Sequence, residues 1–245
     1  MRRLARRAVH EREAFVSHRA GLTMSLARRL VAEGLGTAFL LAVVIGSGIM
    51  GERLAGGNSA IALLANSLAT GGGLVVLILI FGPISGAHFN PVVTLAAATQ
   101  GGLAWCDVFP YIAVQLLGAF AGVAAAHGMF GEPLFFASIK VRTSSSQWWS
   151  EFVATFGLLM VIWGCVRQKL TAVPYAVAAY ITSAYWFTAS TSFANPAVTV
   201  ARAASNTFAG IRPDDVAGFV VAQLLGAAAA TLLFRWLLPP LRPPD

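Results

Sequence analysis

Two Asn-Pro pairs stand 105 residues apart in apolar surroundings, Asn90-Pro91 and Asn195-Pro196. Asparagine is a good N-cap and proline suits the first turn of a helix, so each pair should open a short helix. Because proline also stops a helix from entering from its N-terminal side, the helix must begin at the pair itself. Inside a membrane such an opening is tolerated only where irregular backbone lines a polar cavity. The pairs therefore indicate a solute path, with the NH2 groups of both amides free to donate to a solute.

Other chemistry-bearing residues do not form a recognisable site. The four histidines do not cluster with carboxylates or with a nucleophile, and neither cysteine has metal-ligand spacing around it. The sequence therefore predicts no enzyme, no metal site and no cofactor.

The composition is that of a membrane protein, with 57% hydrophobic and 11% charged residues and a mean hydropathy of +0.72. Apolar stretches long enough to span a bilayer lie at 27–50, 58–82, 108–130, 148–166, 172–190 and 216–238. We predict an all-α membrane protein with six transmembrane helices and two re-entrant half-helices, near 90–98 and 195–204. These elements form one domain, 27–238, between an Arg-rich tail at 1–26 and a short tail at 239–245.

The net charge of +7 is distributed unevenly along the chain. With six spans, twelve of the 17 basic residues fall on one side of the membrane and five on the other. The twelve are Arg2, Arg3, Arg6, Arg7, Arg12, Arg19, Arg28, Arg29, Arg167, Lys169, Arg235 and Arg242. By the positive-inside rule, this asymmetry places both termini in the cytoplasm, with the protein in the cell membrane. It also argues against a nucleic-acid partner. The N-terminal run is interpreted as a solvated tail, rather than as a lipid-surface segment or a transit-like extension.

The two halves of the chain, about 27–130 and 148–238, carry matching residues in the same order. A Glu and a Thr four residues apart mark the first span of each half, and a Gln-Leu-Leu-Gly-Ala segment marks the third. These are Glu33 and Thr37, Glu151 and Thr155, Gln115 to Ala119, and Gln223 to Ala227. Because each half contains three spans, an odd number, the second copy must be inverted relative to the first.

Glu33 and Glu151 are ionisable residues inside predicted spans, which makes them candidates for a functional role. Their matched positions favour bracing, in which each carboxylate accepts hydrogen bonds from the backbone of a re-entrant loop. A proton relay is the alternative, but no second intramembrane acid lies nearby in the sequence.

These motifs resemble those of the aquaporin and glycerol-facilitator family, the major intrinsic proteins, over about Ala27 to Leu238. The resemblance is carried by Glu33 and Thr37, Ser85 to Val92, Gln115 and Gly118, Glu151, Asn195 to Ala197, and Gln223 and Gly226. It implies a passive pore through each subunit of a homotetramer in the lipid bilayer. It also implies that the Asn-Pro pairs lie at the pore midplane and that His88 is among the loop-bracing residues.

In the family that the chain resembles, four positions build an outer selectivity filter, and spacing from the Asn-Pro pairs places them here at Thr70, Ser183, Ser192 and Val198. Family members usually have an aromatic residue at the first position and an Arg at the last, and water-selective members have a His at the second. This chain has none of these, so we expect a wide, uncharged filter. Arg202, seven residues after Asn195, either replaces the missing charge or lies at the outer vestibule against loop backbone, and we favour the second position.

A wide filter with hydroxyl groups suits neutral polar solutes larger than water. The predicted function is a passive channel for glycerol and other polyols, urea, metalloid hydroxides such as arsenous acid, and water. A water-selective aquaporin is the nearest alternative. A secondary active transporter or a structural membrane protein with a closed pore is less favoured, since nothing in the sequence indicates ion coupling.

Overall fold

A computed structural model describes residues 24–238, which contain eight α-helices and two single 3-10 turns joined by loops. The helices are α1 (Leu26–Leu54), α2 (Ser59–Ser85), α3 (Pro91–Thr99), α4 (Trp105–Phe130), α5 (Ser145–Gln168), α6 (Val173–Phe187), α7 (Pro196–Arg202) and α8 (Val216–Leu237). The turns are Leu170–Ala172 and Pro213–Asp215. Most of the predicted tail at 1–26 and all of the tail at 239–245 lie outside the described residues.

Six of these helices are the predicted membrane spans. Five of them, α1, α2, α4, α5 and α8, are long and apolar enough to cross a bilayer. The sixth, α6, has 15 residues and follows directly on the turn Leu170–Ala172. At about 1.5 Å of rise per α-helical residue and about 2 Å per 3-10 residue, the two together extend roughly 28 Å, close to the thickness of the hydrocarbon core. The predicted six-span, all-α architecture is therefore confirmed.

The surface and the interior have the polarity expected of a protein in lipid. Large apolar side chains such as Phe109, Leu117 and Trp236 are 79%, 72% and 78% exposed. Polar side chains such as Gln115 and Gln223 are fully buried between helices. Lipid offers no partner to a polar group, so these groups must find their hydrogen bonds inside the protein.

The two halves are built on equivalent close helix contacts, α1 with α4 and α5 with α8. A Cβ atom on Gly118 would lie 2.2 Å from the backbone oxygen of Gly34, and one on Gly226 would lie 2.4 Å from that of Phe152. Glycine at these two positions lets the helix backbones approach each other, as small residues do in membrane helix pairs. The Gly in each matching sequence segment therefore marks the same packing contact in each half.

The two short helices, α3 and α7, begin at the Asn-Pro pairs and are the predicted re-entrant half-helices. Each packs against both α4 and α8, and the two contact each other. They therefore meet inside the bundle of long helices, where their N-terminal ends form the candidate site.

Substitution of Gly118 by Ala should destabilise the fold, because the new methyl group would collide with backbone rather than with a movable side chain. Overpacking of this kind costs about 1–3 kcal/mol or more. Gly128→Ala is the matched control, since a Cβ at this position of α4 meets nothing within 4 Å. Thermal unfolding in detergent should show a lower midpoint for Gly118→Ala alone, and equal midpoints for the two variants would contradict the packing assignment.

Candidate functional site

Each half-helix is capped by the asparagine of its Asn-Pro pair. Asn90 Oδ1 accepts a hydrogen bond from Val92 N at 3.1 Å, and Asn195 Oδ1 accepts one from Ala197 N at 3.0 Å. The prolines Pro91 and Pro196 occupy the first helical position, where a missing N–H costs nothing. Both helices therefore start as the sequence predicts, with their positive ends directed to the same region.

The two asparagines also join the two half-helices to each other. Asn90 Nδ2 donates to Ala194 O at 2.8 Å, and Asn195 Nδ2 donates to Phe89 O at 2.7 Å. The expectation that both NH2 groups are wholly free is therefore wrong, because each uses one of its two protons to hold the opposite loop. One N–H of each amide remains for a solute, and both residues line the cavity described below.

The loops that lead into the half-helices adopt a conformation that is unfavourable for their residues. Ala87, Phe89, Ser192 and Ala194 have φ between +48° and +51°, the left-handed region. Each non-glycine residue in that region costs about 1–2 kcal/mol. These residues lie three and one positions before each asparagine, and Thr191, with φ +61°, adds one more in the second loop. Both loops therefore carry strain and need support.

Glu33 supports the first loop. Its carboxylate accepts hydrogen bonds from His88 N at 2.9 Å and from Phe89 N at 2.7 Å. Gln115 Nε2 donates to the same carboxylate at 2.9 Å and to Thr94 Oγ1 at 2.9 Å, which connects α1, α3 and α4. His88 takes part in this network through its backbone, while its ring Nδ1 lies 3.2 Å from Thr94 Oγ1.

Glu151 supports the second loop in the same way. It accepts hydrogen bonds from Phe193 N and from Ala194 N, both at 2.9 Å. Gln223 Nε2 donates to Glu151 at 2.6 Å and to Thr199 Oγ1 at 2.9 Å. Both glutamates are 0% exposed. The contacts of the two carboxylates are those that a bracing role requires, because each accepts hydrogen bonds from two loop N–H groups.

A cavity of about 550 Å³ passes both half-helix ends. Its lining extends from Arg202 through Asn195 and Asn90 to Arg167, at the last turn of α5. Aliphatic side chains from α1, α2, α5 and α6 make up much of the lining, and include Leu40, Val44, Leu74, Ile78, Leu158 and Ile181. We name its two ends the Arg202 end and the Arg167 end.

Three of the four predicted filter residues line this cavity, namely Thr70, Ser192 and Val198. Ser183 does not, and its placement is a correction to the spacing argument. Its side chain is exposed on the outer surface of α6, where Oγ donates to Ala179 O at 2.9 Å. The spacing was counted back from Asn195 through a loop, and a loop does not preserve the register of a helix face.

Tyr185 lines the cavity where Ser183 was expected, and the sequence analysis missed it. Together with Val177 and Ile181 it forms the i, i+4, i+8 stripe of α6 that faces the cavity. Its hydroxyl lies 3.2 Å from Thr70 Oγ1, so the two side chains meet at the Arg202 end. This helical stripe was the signal in the sequence that could have identified Tyr185.

Arg202 also lines the cavity, one helical turn beyond Val198. It is 2% exposed, its Nε donates to Ala209 O, and its guanidinium carbon lies 3.3 Å from the centroid of the Phe193 ring. The favoured position, against loop backbone, is therefore correct for Nε. The expectation of an uncharged filter is wrong for this end of the cavity, because Arg202 is among the lining residues.

Two further cations lie near Arg202, in the segment between α4 and α5. Arg142 is buried, with Nη1 donating to Ser190 O at 3.0 Å and the guanidinium carbon 4.9 Å from the Phe193 ring centroid. Burial, and then the charges of Arg142 and Arg202, lower the pKa of Lys140 to about 8. Below that pH, Lys140 adds its positive charge to those of Arg142 and Arg202. Within residues 24–238, no group of three or more His, Cys, Asp or Glu side chains could hold a metal ion.

Comparison with known proteins gives consistent matches. A family model described as "Major intrinsic protein" matches residues 22–171. The aquaglyceroporin AqpS of Rhizobium meliloti (strain 1021) is 56% identical over 89% of this chain and 93% of its own length. Aquaporin NIP3-1 of Oryza sativa subsp. japonica is 34% identical over 57% of this chain and 45% of its own length. The X-ray structure of the aquaglyceroporin from Plasmodium falciparum superposes with a TM-score of 0.66, covering 88% of this chain and 98% of that chain at 22% identity.

Glu151→Gln should lower the stability of the folded protein while leaving solute flux per folded molecule largely intact. The amide would present an NH2 or a single acceptor where two loop N–H groups need acceptors, and an unsatisfied buried group costs about 1–3 kcal/mol. Thermal unfolding measures the first effect, with Glu52→Gln, an exposed glutamate of α1, as the control. Normal stability together with loss of a pH dependence of uptake would instead indicate proton coupling at Glu151.

Asn195→Asp should reduce solute flux sharply or open a leak for cations. A carboxylate would lose the donor to Phe89 O and place a negative charge between two positive helix ends. Stopped-flow permeability and ionic conductance are measured together. Asn58→Asp, at the exposed N-cap of α2, is the control, because Asp caps a helix as well as Asn. Unchanged flux and conductance for Asn195→Asp would contradict its position at the midplane.

Proposed function

The chain belongs to the major intrinsic protein family, whose aquaglyceroporins are channels and not enzymes, and we propose that it is a passive membrane channel for glycerol and other small neutral solutes. Water passes through the same path. Urea and metalloid hydroxides such as arsenous acid belong to the same class of neutral, hydrogen-bonding solutes. The name of the similar protein AqpS, an aquaglyceroporin, supports the glycerol assignment.

The composition of the cavity lining is the observation that carries this proposal. Among the described residues that line the cavity there is no Asp or Glu, and an arginine lies at each end. The two half-helices add a positive end of roughly half an elementary charge each at the middle. Cations, including hydronium, are therefore repelled along the whole path. The aliphatic lining offers an anion no replacement for its hydration shell. Neutral solutes avoid both costs.

The polar groups at the Arg202 end suit a solute that carries several hydroxyl groups on a carbon skeleton. Thr70 and Tyr185 present hydroxyls, and Ser192 Oγ is buried without a hydrogen-bond partner among the described residues. Within residues 24–238 the side chain of Arg202 makes one hydrogen bond, from Nε, which leaves its terminal nitrogens as donors. These groups can accept from and donate to a polyol, while the aliphatic side chains contact its carbons.

The filter is proposed to be wide at Val198 and charged one turn further out. Valine leaves open the space that an arginine side chain would fill. Arg202 supplies the missing charge from the next turn of α7, held by Ala209 O and the Phe193 ring. A water-selective channel is less well supported, because no large side chain lies at the Val198 position.

The protein is proposed to lie in the cell membrane with the Arg167 end in the cytoplasm. Arg28, Arg29, Arg167, Lys169 and Arg235 are at the helix ends on that side, where the first described helix begins and the last one ends. The excess of basic residues in the whole sequence is on this same side, as the positive-inside rule predicts for the cytoplasmic side. A homotetramer, with a separate channel in each subunit, is proposed from the family resemblance.

Reconstitution into proteoliposomes tests the proposed function. Light scattering after an osmotic step should report passage of water, glycerol, urea and arsenous acid, each equilibrating without accumulation. Passage of water alone would identify a water-selective aquaporin. Accumulation of a solute driven by a proton or sodium gradient would identify a secondary transporter, and no osmotic response at all would indicate a closed pore.

Val198→Arg should lower glycerol and arsenous acid permeability several-fold while water permeability survives. The added side chain would narrow the cavity beside Arg202 and favour a solute small enough to pass two guanidinium groups. Val198→Leu is the matched control, because it adds bulk without charge and should lower glycerol passage less. Water flux and labelled-solute uptake are measured in the same vesicles. If the Arg variant leaves both unaltered, Val198 does not limit passage.

A further inference from the structure

The Arg167 end of the cavity contains a second pair of polar side chains. Gln100 is the C-cap residue that follows α3, and Arg167 lies in the last turn of α5. Arg167 Nη2 donates to Gln100 Oε1 at 2.9 Å, and Nη1 donates to Phe234 O on α8. Both Gln100 and Arg167 line the cavity, so their hydrogen bond lies at its mouth.

This pair retains unused hydrogen-bond donors. Because Gln100 Oε1 accepts from Arg167, the orientation of the amide is fixed. Its Nε2 is enclosed and has no partner among the described residues. A guanidinium has five N–H donors, and Arg167 uses two of them in the same part of the chain. No carboxylate in residues 24–238 pairs with Arg167. The mouth is therefore positively charged and offers mainly donors.

A purely structural role does not account for these features. A cation at helix C-terminal ends is favourable in itself, and Arg235, in the last turn of α8, has that position while exposed on the surface. Arg167 differs because it lines the cavity beside an amide that has a free NH2 group. Donors that are fixed in place and lack protein acceptors suit the oxygen atoms of a solute.

We propose that Arg167 and Gln100 form a second filter at this end, which binds the hydroxyl oxygens of small polyols, limits polyol length and excludes cations. The inference rests on the proposed function, since it assigns two residues to the same path. The planar guanidinium supplies the charge and a fork of donors. The amide holds that fork across the mouth and adds a donor of its own.

Two substitutions separate the charge from the crossing hydrogen bond. Gln100→Leu has similar size, keeps Arg167 and removes its tether. It should raise the ratio of xylitol permeability to glycerol permeability, xylitol being a five-carbon polyol. The expected rise is about threefold to tenfold, which corresponds to the free energy of one ordinary hydrogen bond. Cations should still be excluded. Arg167→Leu removes the charge as well, and should raise the same ratio and also admit potassium.

The measurement uses the full chain in proteoliposomes, with glycerol and xylitol permeability from light scattering and potassium conductance from the same preparation. Arg235→Leu is the control, a basic residue at the same end that does not line the cavity, and should match the parent in every readout. An unchanged xylitol-to-glycerol permeability ratio in Gln100→Leu would overturn the inference. If Arg167→Leu does not fold, Gln100→Leu alone tests the second filter. A parent that conducts no glycerol would overturn the proposed function itself, whereas a conducting parent with unaltered variants would overturn only the second filter.

Discussion

The rest of the structure depends on two buried carboxylates that bind backbone N–H groups inside the membrane. An unpaired backbone donor is costly at membrane depth, and the loop N–H groups that are buried in the protein must find acceptors there. Glu33 and Glu151 supply those acceptors, each from the first helix of its half. Because the loops are held, residues such as Phe89 and Ala194 can keep a left-handed conformation. The half-helices then start where the two asparagines can meet.

The proposed selectivity follows from how charge is placed along the path. The two carboxylates accept hydrogen bonds from loop N–H groups and do not line the cavity. The lining that the structure describes therefore carries no acid. Positive groups lie at both ends, Arg202 and Arg167, with two helix N-termini between them. A cation would meet repulsion at three points, and a neutral solute meets none. The same arrangement leaves a few hydrogen-bond donors among aliphatic side chains. A small polyol is complementary to such a lining, because it has hydroxyl groups on a carbon skeleton.

Features encoded by short-range rules were predictable from the sequence. Asn-Pro at a helix start, a Glu and a Gln at matched positions and a glycine at a close helix contact each act locally, and the inverted repeat made each mark visible twice. Ser183 was misplaced because its register was counted across a loop. The sequence left two positions open for Arg202 and did not indicate the Arg167–Gln100 pair, because both depend on tertiary contacts, with Ala209 O, the Phe193 ring and Phe234 O. No local pattern encodes those partners.

Simultaneous recording of solute flux and ionic current through the parent protein tests the central claim, that positive helix ends and acid-free walls make a path for neutral solutes alone. Labelled glycerol is placed on one side of a planar bilayer that contains the purified protein, with potassium chloride and a holding potential across it. The account predicts glycerol flux that grows with the amount of protein, with no current above that of the bare bilayer. A potassium or proton current that rises together with the glycerol flux would contradict it.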